Sequence, residues 1–108
     1  MTQHLTITIG RNVGDGPMNG IAWSHFQLDA HVLASSYGHP VYEIQGTSHS
    51  RWGHEATLLT CVELDPLQDL KHLREELACL AQRYHQEAIA LTIGPPAEII
   101  QQHREGVR

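Results

Sequence analysis

Hydrophobic periodicity alternates along this chain between two residues and three to four, and the order of the alternation limits the fold more than any other feature. Residues 3–10, Gln-His-Leu-Thr-Ile-Thr-Ile-Gly, alternate apolar side chains with threonine, the pattern of a half-buried strand. Leu5, Ile7 and Ile9 then face a core, and Thr6 and Thr8 face away. Trp23, Phe26, Ala30 and Leu33 recur at helical steps, with Asn19 as N-cap and Gly38 and Pro40 as the stop, which predicts a helix over 20–36. Two β-rich runs follow, one after Pro40 (Val-Tyr-Glu-Ile-Gln-Gly-Thr) and one after Glu55 (Ala-Thr-Leu-Leu-Thr-Cys-Val-Glu-Leu). The polar, glycine-containing stretch between them marks a hairpin.

Asp65, Pro66 and Gln68 read as the start of a second helix, close to a capping box. Its apolar stripe is Leu67, Leu70, Leu73, Leu77, Leu80 and Tyr84, and Lys71, Arg74, Glu75, Glu76 and Arg83 face water. Residues 88–93 alternate once more before Gly94-Pro95-Pro96 ends the run. Strand, helix, strand, strand, helix, strand with right-handed crossovers describes an α+β, ferredoxin-like βαββαβ sandwich: a four-stranded antiparallel sheet with both helices on one face. The length of 108 residues suits one domain, expected over 1–96, followed by a short C-terminal helix or tail over 97–108.

Helices cover one sheet face only, so the other meets water, a ligand or a partner. Its expected side chains, Thr6, Thr8, Leu59, Cys61, Ala90 and Thr92, are small and mildly polar, which favours a homodimer joined through the open sheet face. Seven Lys and Arg against twelve Asp and Glu give a formal charge of −5, so nucleic acid is an unfavoured partner. An RNA-reading sheet of this topology also needs stacking aromatics on its central strands, where Thr6, Thr8, Leu59 and Cys61 stand instead. The two cysteines, Cys61 and Cys79, have apolar neighbours and are expected as buried thiols in a reducing cytoplasm. No run approaches the ~18 apolar residues of a membrane span, which fits a cytoplasmic protein, in a host cytoplasm if the gene is viral.

Candidate chemistry concentrates in Gly46-Thr-Ser-His-Ser-Arg-Trp-Gly-His-Glu55. His49, His54 and Glu55 are metal-ligand types, but a hairpin tip collects polar residues anyway and no HExxH helix is present, so no metal and no cofactor are expected. Ser24, Ser35, Ser48 and Ser50 accompany many histidines without a Gly-x-Ser-x-Gly elbow, so no catalytic residue is assigned. His25 and Asp29 are spaced as a surface pair on the first helix. The glycines at 10, 14, 16 and 20 form no phosphate cradle, although Arg11 and Asn12 at the strand end, with Asn19 at the helix start, can line a small anion pocket. Partner- or ligand-binding candidates are therefore Arg51, Trp52, His49, His54, Arg11 and Asn12. Arg51 and Trp52 weigh most, as residue types enriched at binding hot spots.

Gly10, Trp23-Ser-His-Phe26, Trp52 and Arg83-Tyr-His-Gln-Glu-Ala-Ile89 together resemble a group of small uncharacterised proteins of bacteria and their phages. The resemblance implies the ferredoxin-like fold and a phage setting, and brings no chemistry with it. With no complete catalytic motif, the first expectation is a non-enzymatic binding protein, such as a phage-encoded inhibitor of a host system acting by protein–protein contact. The alternative is a dimeric α+β barrel enzyme or small-molecule binder, with a pocket between sheet and helices lined by Asn12, Trp23, His25, Trp52 and His54.

Overall fold

A computed structural model describes residues 2–14, 16–50, 53–98, 100 and 101. Strand β1 (His4–Gly10) leads through a small ribbon, β2 (Asn12–Val13) and β3 (Gly16–Pro17), into α1 (Gly20–Ser35). The hairpin β4 (Gly38–Ser50) and β5 (Gly53–Leu64) follows, then α2 (Leu73–Arg83) and β6 (Ala90–Gly94). The main sheet is antiparallel in the order β4-β5-β1-β6, a ferredoxin-like layout.

Local pattern and register agree on which sheet face is the core. Leu5, Ile7 and Ile9 are buried, and their cross-strand partners on β5 are Val62, Thr60 and Leu58. Leu91 and Ile93 extend this face onto β6, opposite Ile7 and Leu5. Trp23, Phe26, Ala30 and Ala34 of α1 and Leu73, Leu77 and Leu80 of α2 close over it in one cluster. Phe26 is fully buried, stacked on Tyr84 at 4.5 Å between ring centroids and edge-on to Trp23 at 6.1 Å. Burying such an aromatic stabilises by roughly 1.5–3 kcal/mol, so this contact ties α1 to the end of α2. Asn19 caps α1 as expected, accepting from the Ala22 N–H at 2.8 Å.

Gly38 shows why β4 begins where it does. A Cβ there would lie 1.9 Å from the backbone oxygen of Glu63, so only glycine lets the two strands close at this point. A register irregularity between Pro40 and Tyr42 follows at once, where the proline ring removes a ladder donor.

The expectations for the second helix and for Cys79 are corrected. The second helix starts at Leu73 instead of at Pro66, because Asp65 and Asp69 capture the N–H groups of Leu67 and Lys71 in tight turns that compete with helix. Leu67 consequently leaves the apolar stripe and is exposed. Cys61 is buried as expected, but Cys79 is exposed, on the outer side of α2. The glycine-rich connection over 10–20 contains the β2–β3 ribbon. Of the segment expected as a short C-terminal helix or tail, Ile99 and 102–108 lie outside the described residues.

Helix α1 is apolar on two sides. Beyond its core stripe it carries Ile21, Leu28 and Val32 on an exposed face. No helix among the described residues is long and apolar enough to cross a membrane.

Candidate functional site

At Gly10 the ladder between β1 and β5 ends, and the next two residues turn alongside the hairpin. Arg11 still donates its N–H to the Ala56 carbonyl at 2.9 Å, but the Asn12 N–H meets a side chain, Glu55 Oε2, at 2.7 Å. Asn12 becomes a junction. Its carbonyl accepts from Gln86 Nε2 at 2.9 Å, and its Nδ2 reaches the His54 carbonyl at 3.4 Å. Arg11 is held beside it by Nε donating to the Met18 carbonyl at 2.9 Å.

Gly10 makes room for this arrangement. A Cβ at position 10 would stand 2.5 Å from the carboxyl carbon and both oxygens of Glu55, so the carboxylate occupies the space a side chain would fill. Glu55 shares the open sheet face with Thr57, Leu59 and Cys61, two residues apart along β5. The result is a carboxylate held by the Asn12 N–H at one end of an open surface. Such a group can neutralise a cation or accept from two vicinal hydroxyls.

The rest of the open face reads off the register. Tyr42, Cys61, Thr6 and Thr92 form one cross-strand row; Ile44, Leu59, Thr8 and Ala90 form the next. His39, Glu63 and His4 make a third row at the far end. Cys61 is buried on this face, with His4 Nδ1 3.5 Å from its sulfur. The Tyr42 phenol hydrogen-bonds to Cys61, and that bond followed by burial pushes its pKa up.

The structure thus brings four of the six sequence candidates to one region and leaves two untested. Asn12 meets the His54 carbonyl, and Arg11 precedes Asn12 with its side chain bonded to the Met18 carbonyl. His49 and His54 are cross-strand partners whose rings stack at 4.2 Å. Parallel stacked imidazoles do not converge on a common point, and no group of three or more His, Cys, Asp or Glu side chains among the described residues is arranged to hold a metal. Arg51 and Trp52 lie outside the described residues. His25 and Asp29 do not form the expected surface pair; Asp29 accepts from the Tyr84 hydroxyl and from Arg83 Nη1 at 3.4 Å.

Sequence reading missed Gly10 and Gln86 as parts of this site and weighed Glu55 only as a metal ligand. The glycine at the end of a regular strand was the available signal, since glycine there marks a close approach. The pocket expected between sheet and helices is filled: Phe26, Leu5, Ile7, Ile9 and Leu73 occupy that space and Trp23 belongs to the core. An open depression of about 820 Å³ lies instead at the start of α1, bordered by Asn19, Ile21, Ser24 and His25.

No protein-family profile matches the chain, and no curated protein matches it in sequence. A solved structure does. A phage SAM lyase in its apo state superposes with a TM-score of 0.53 over 98% of this chain and 92% of its own, at 17% identity. At that identity the likeness establishes the fold. The expectation of a non-enzymatic binding protein acting by protein–protein contact rested on the lack of a recognised catalytic motif, and it is corrected by this match, because a protein of the same architecture is named as an enzyme.

Proposed function

We propose that this protein is a small-molecule enzyme, a lyase acting on S-adenosylmethionine, with its site on the open sheet face around Glu55. The observation that carries the reading is the near end-to-end structural match to a phage SAM lyase. Substrate chemistry supports it. A sulfonium holds its own leaving group, and breaking a C–S bond releases a neutral thioether, so neither a metal nor an activated serine is required. The missing catalytic motifs therefore do not weigh against activity.

The arrangement at Gly10 supplies what such a substrate needs. The Glu55 carboxylate, oriented by the Asn12 N–H, suits a sulfonium cation or the vicinal hydroxyls of a ribose. Ile44 and Leu59 offer apolar surface to a purine. An open sheet leaves such a ligand wet, and a second copy laid across the face would exclude water from it. A homodimer through the open sheet is accordingly part of the proposal, as is a phage protein working in a host cytoplasm where this substrate is dissolved.

Incubating the full chain with S-adenosylmethionine and following substrate and thioether by mass spectrometry tests the assignment. Time-dependent loss of substrate with appearance of a thioether is expected, slowed about 100-fold in Glu55→Gln by loss of a charged contact to the reacting group. Intact substrate together with no saturable heat of binding in calorimetry would overturn it. Light scattering that returns a monomer mass at every concentration would remove the dimer.

A further inference from the structure

On the helix side of the same sheet, a second group of side chains has the connectivity of an acyl-transfer relay. Glu43 on the edge strand β4 places Oε1 2.6 Å from His31 Nδ1. The other ring nitrogen, His31 Nε2, lies 3.4 Å from Ser35 Oγ, one turn along α1. Thr60, buried on β5, donates to the same Glu43 oxygen at 3.4 Å. Because the carboxylate accepts from Nδ1–H, the Nε2 lone pair of neutral His31 faces the serine. These are the positions of carboxylate, imidazole and hydroxyl in a Ser-His-Glu triad, with the long serine contact usual before substrate binds.

We propose that Ser35 is a nucleophile activated by His31, that Glu43 is the positioning residue, and that the site accepts small aryl esters with an apolar acyl part. The exposed side chains of Leu28 and Val32, each 59% accessible, neighbour His31 and Ser35 at helical spacing and form an apolar shelf for the acyl chain. The backbone beside the serine sets the leaving-group limit. The N–H groups of Ser36 and Tyr37 are already bonded to the carbonyls of Val32, Leu33 and Ala34, so they cannot serve an oxyanion. Reaction is therefore confined to esters whose alcohol leaves readily.

In the first step Ser35 Oγ bonds to the acyl carbon while His31 Nε2 takes the hydroxyl proton. The bond to the aryl oxygen breaks, and the phenol departs with that proton. Water then adds to the acyl-serine, giving a proton to Nε2 and, through it, to Oγ, and the carboxylic acid is released. None of this involves Glu55, which lies on the opposite sheet face.

The test uses the full chain with an alkyl fluorophosphonate, which transfers its phosphonyl group to an activated serine with loss of fluoride, and p-nitrophenyl butyrate as substrate. A single adduct mapped by peptide mass spectrometry to Ser35 is expected, absent in Ser35→Ala. His31→Gln should slow labelling about 100-fold, the usual effect of losing a general base. Glu43→Gln should lower the maximal labelling rate about tenfold at an unchanged half-saturating probe concentration, a split that a merely structural role would not produce. Adducts only at other residues, no adduct, or His31→Gln labelling at the wild-type rate would overturn the proposal. Melting curves establish that each variant is folded, and Glu43→Gln decides the matter should His31→Gln not fold.

Discussion

Replacing Gly10 by alanine probes the junction between β1 and the hairpin directly. The new Cβ would lie 2.5 Å from the Glu55 carboxyl group, closer than real Cβ contacts come. The backbone is held by pairing with Thr57 and by the Arg11 N–H to the Ala56 carbonyl, so the carboxylate must swing away and surrender the 2.7 Å bond from Asn12. A hydrogen bond to a charged acceptor contributes roughly 1.5–3 kcal/mol, and the lower end applies where water can replace it. Alanine returns roughly 0.4–1 kcal/mol by restricting the unfolded chain. The net cost is then about 1 kcal/mol. A double-mutant cycle isolates the cause: with Glu55→Ala in place the obstacle is gone, and Gly10→Ala should be neutral or slightly stabilising. The coupling energy expected from urea unfolding, followed by tryptophan fluorescence, is about 1.5 kcal/mol. Additive effects, with Gly10→Ala costing the same in both backgrounds, would refute the account of this glycine.

Gly38→Ala should cost about 3 kcal/mol or more, because its Cβ would strike the Glu63 backbone oxygen at 1.9 Å and no side chain can move aside. Gly46→Ala, whose nearest atom is Thr57 Oγ1 at 3.7 Å, should stay within about 0.5 kcal/mol; equal urea midpoints for the two variants would contradict this. Phe26→Ala should cost roughly 3–5 kcal/mol in the same assay, and less than 1 would show that the aromatic stack carries no weight. Tyr37 and Tyr84 predict alkaline unfolding: burial first, then hydrogen bonds to Glu76 and Asp29, push each phenol up to about 12. Their folded pKa values lie above the unfolded value of 10.0, so this stabilisation is complete below pH 10 and is lost as pH rises toward about 12. Tyr37→Phe with Tyr84→Phe should flatten the fall in melting temperature over that window. Nine histidines on a chain of formal charge −5 should also bring a solubility minimum on mild acidification, measured as turbidity between about pH 5 and 7.

Periodicity is local, and what depends on local spacing was legible in the sequence. The alternation of Leu5, Ile7 and Ile9 located a strand and its buried face; Trp23, Phe26 and Ala30 located a helix, and Asn19 its start. The order of these elements then restricted the topology to one arrangement of β1 and β5 at the centre. The start of α2 was not legible, because the side chains of Asp65 and Asp69 compete with the helix for backbone donors and spacing does not reveal the winner. Contacts between residues far apart in the chain belonged to tertiary structure alone. Asn12 meets Glu55 across 43 residues, and the Ser35–His31 pair meets Glu43 only because α1 lies along the edge strand. Motif spacing records what one element carries, whereas a site assembled from a strand end, a hairpin and a helix terminus is set by register. Register depends on which faces are buried together, and that is decided only when the whole sheet closes on its helices.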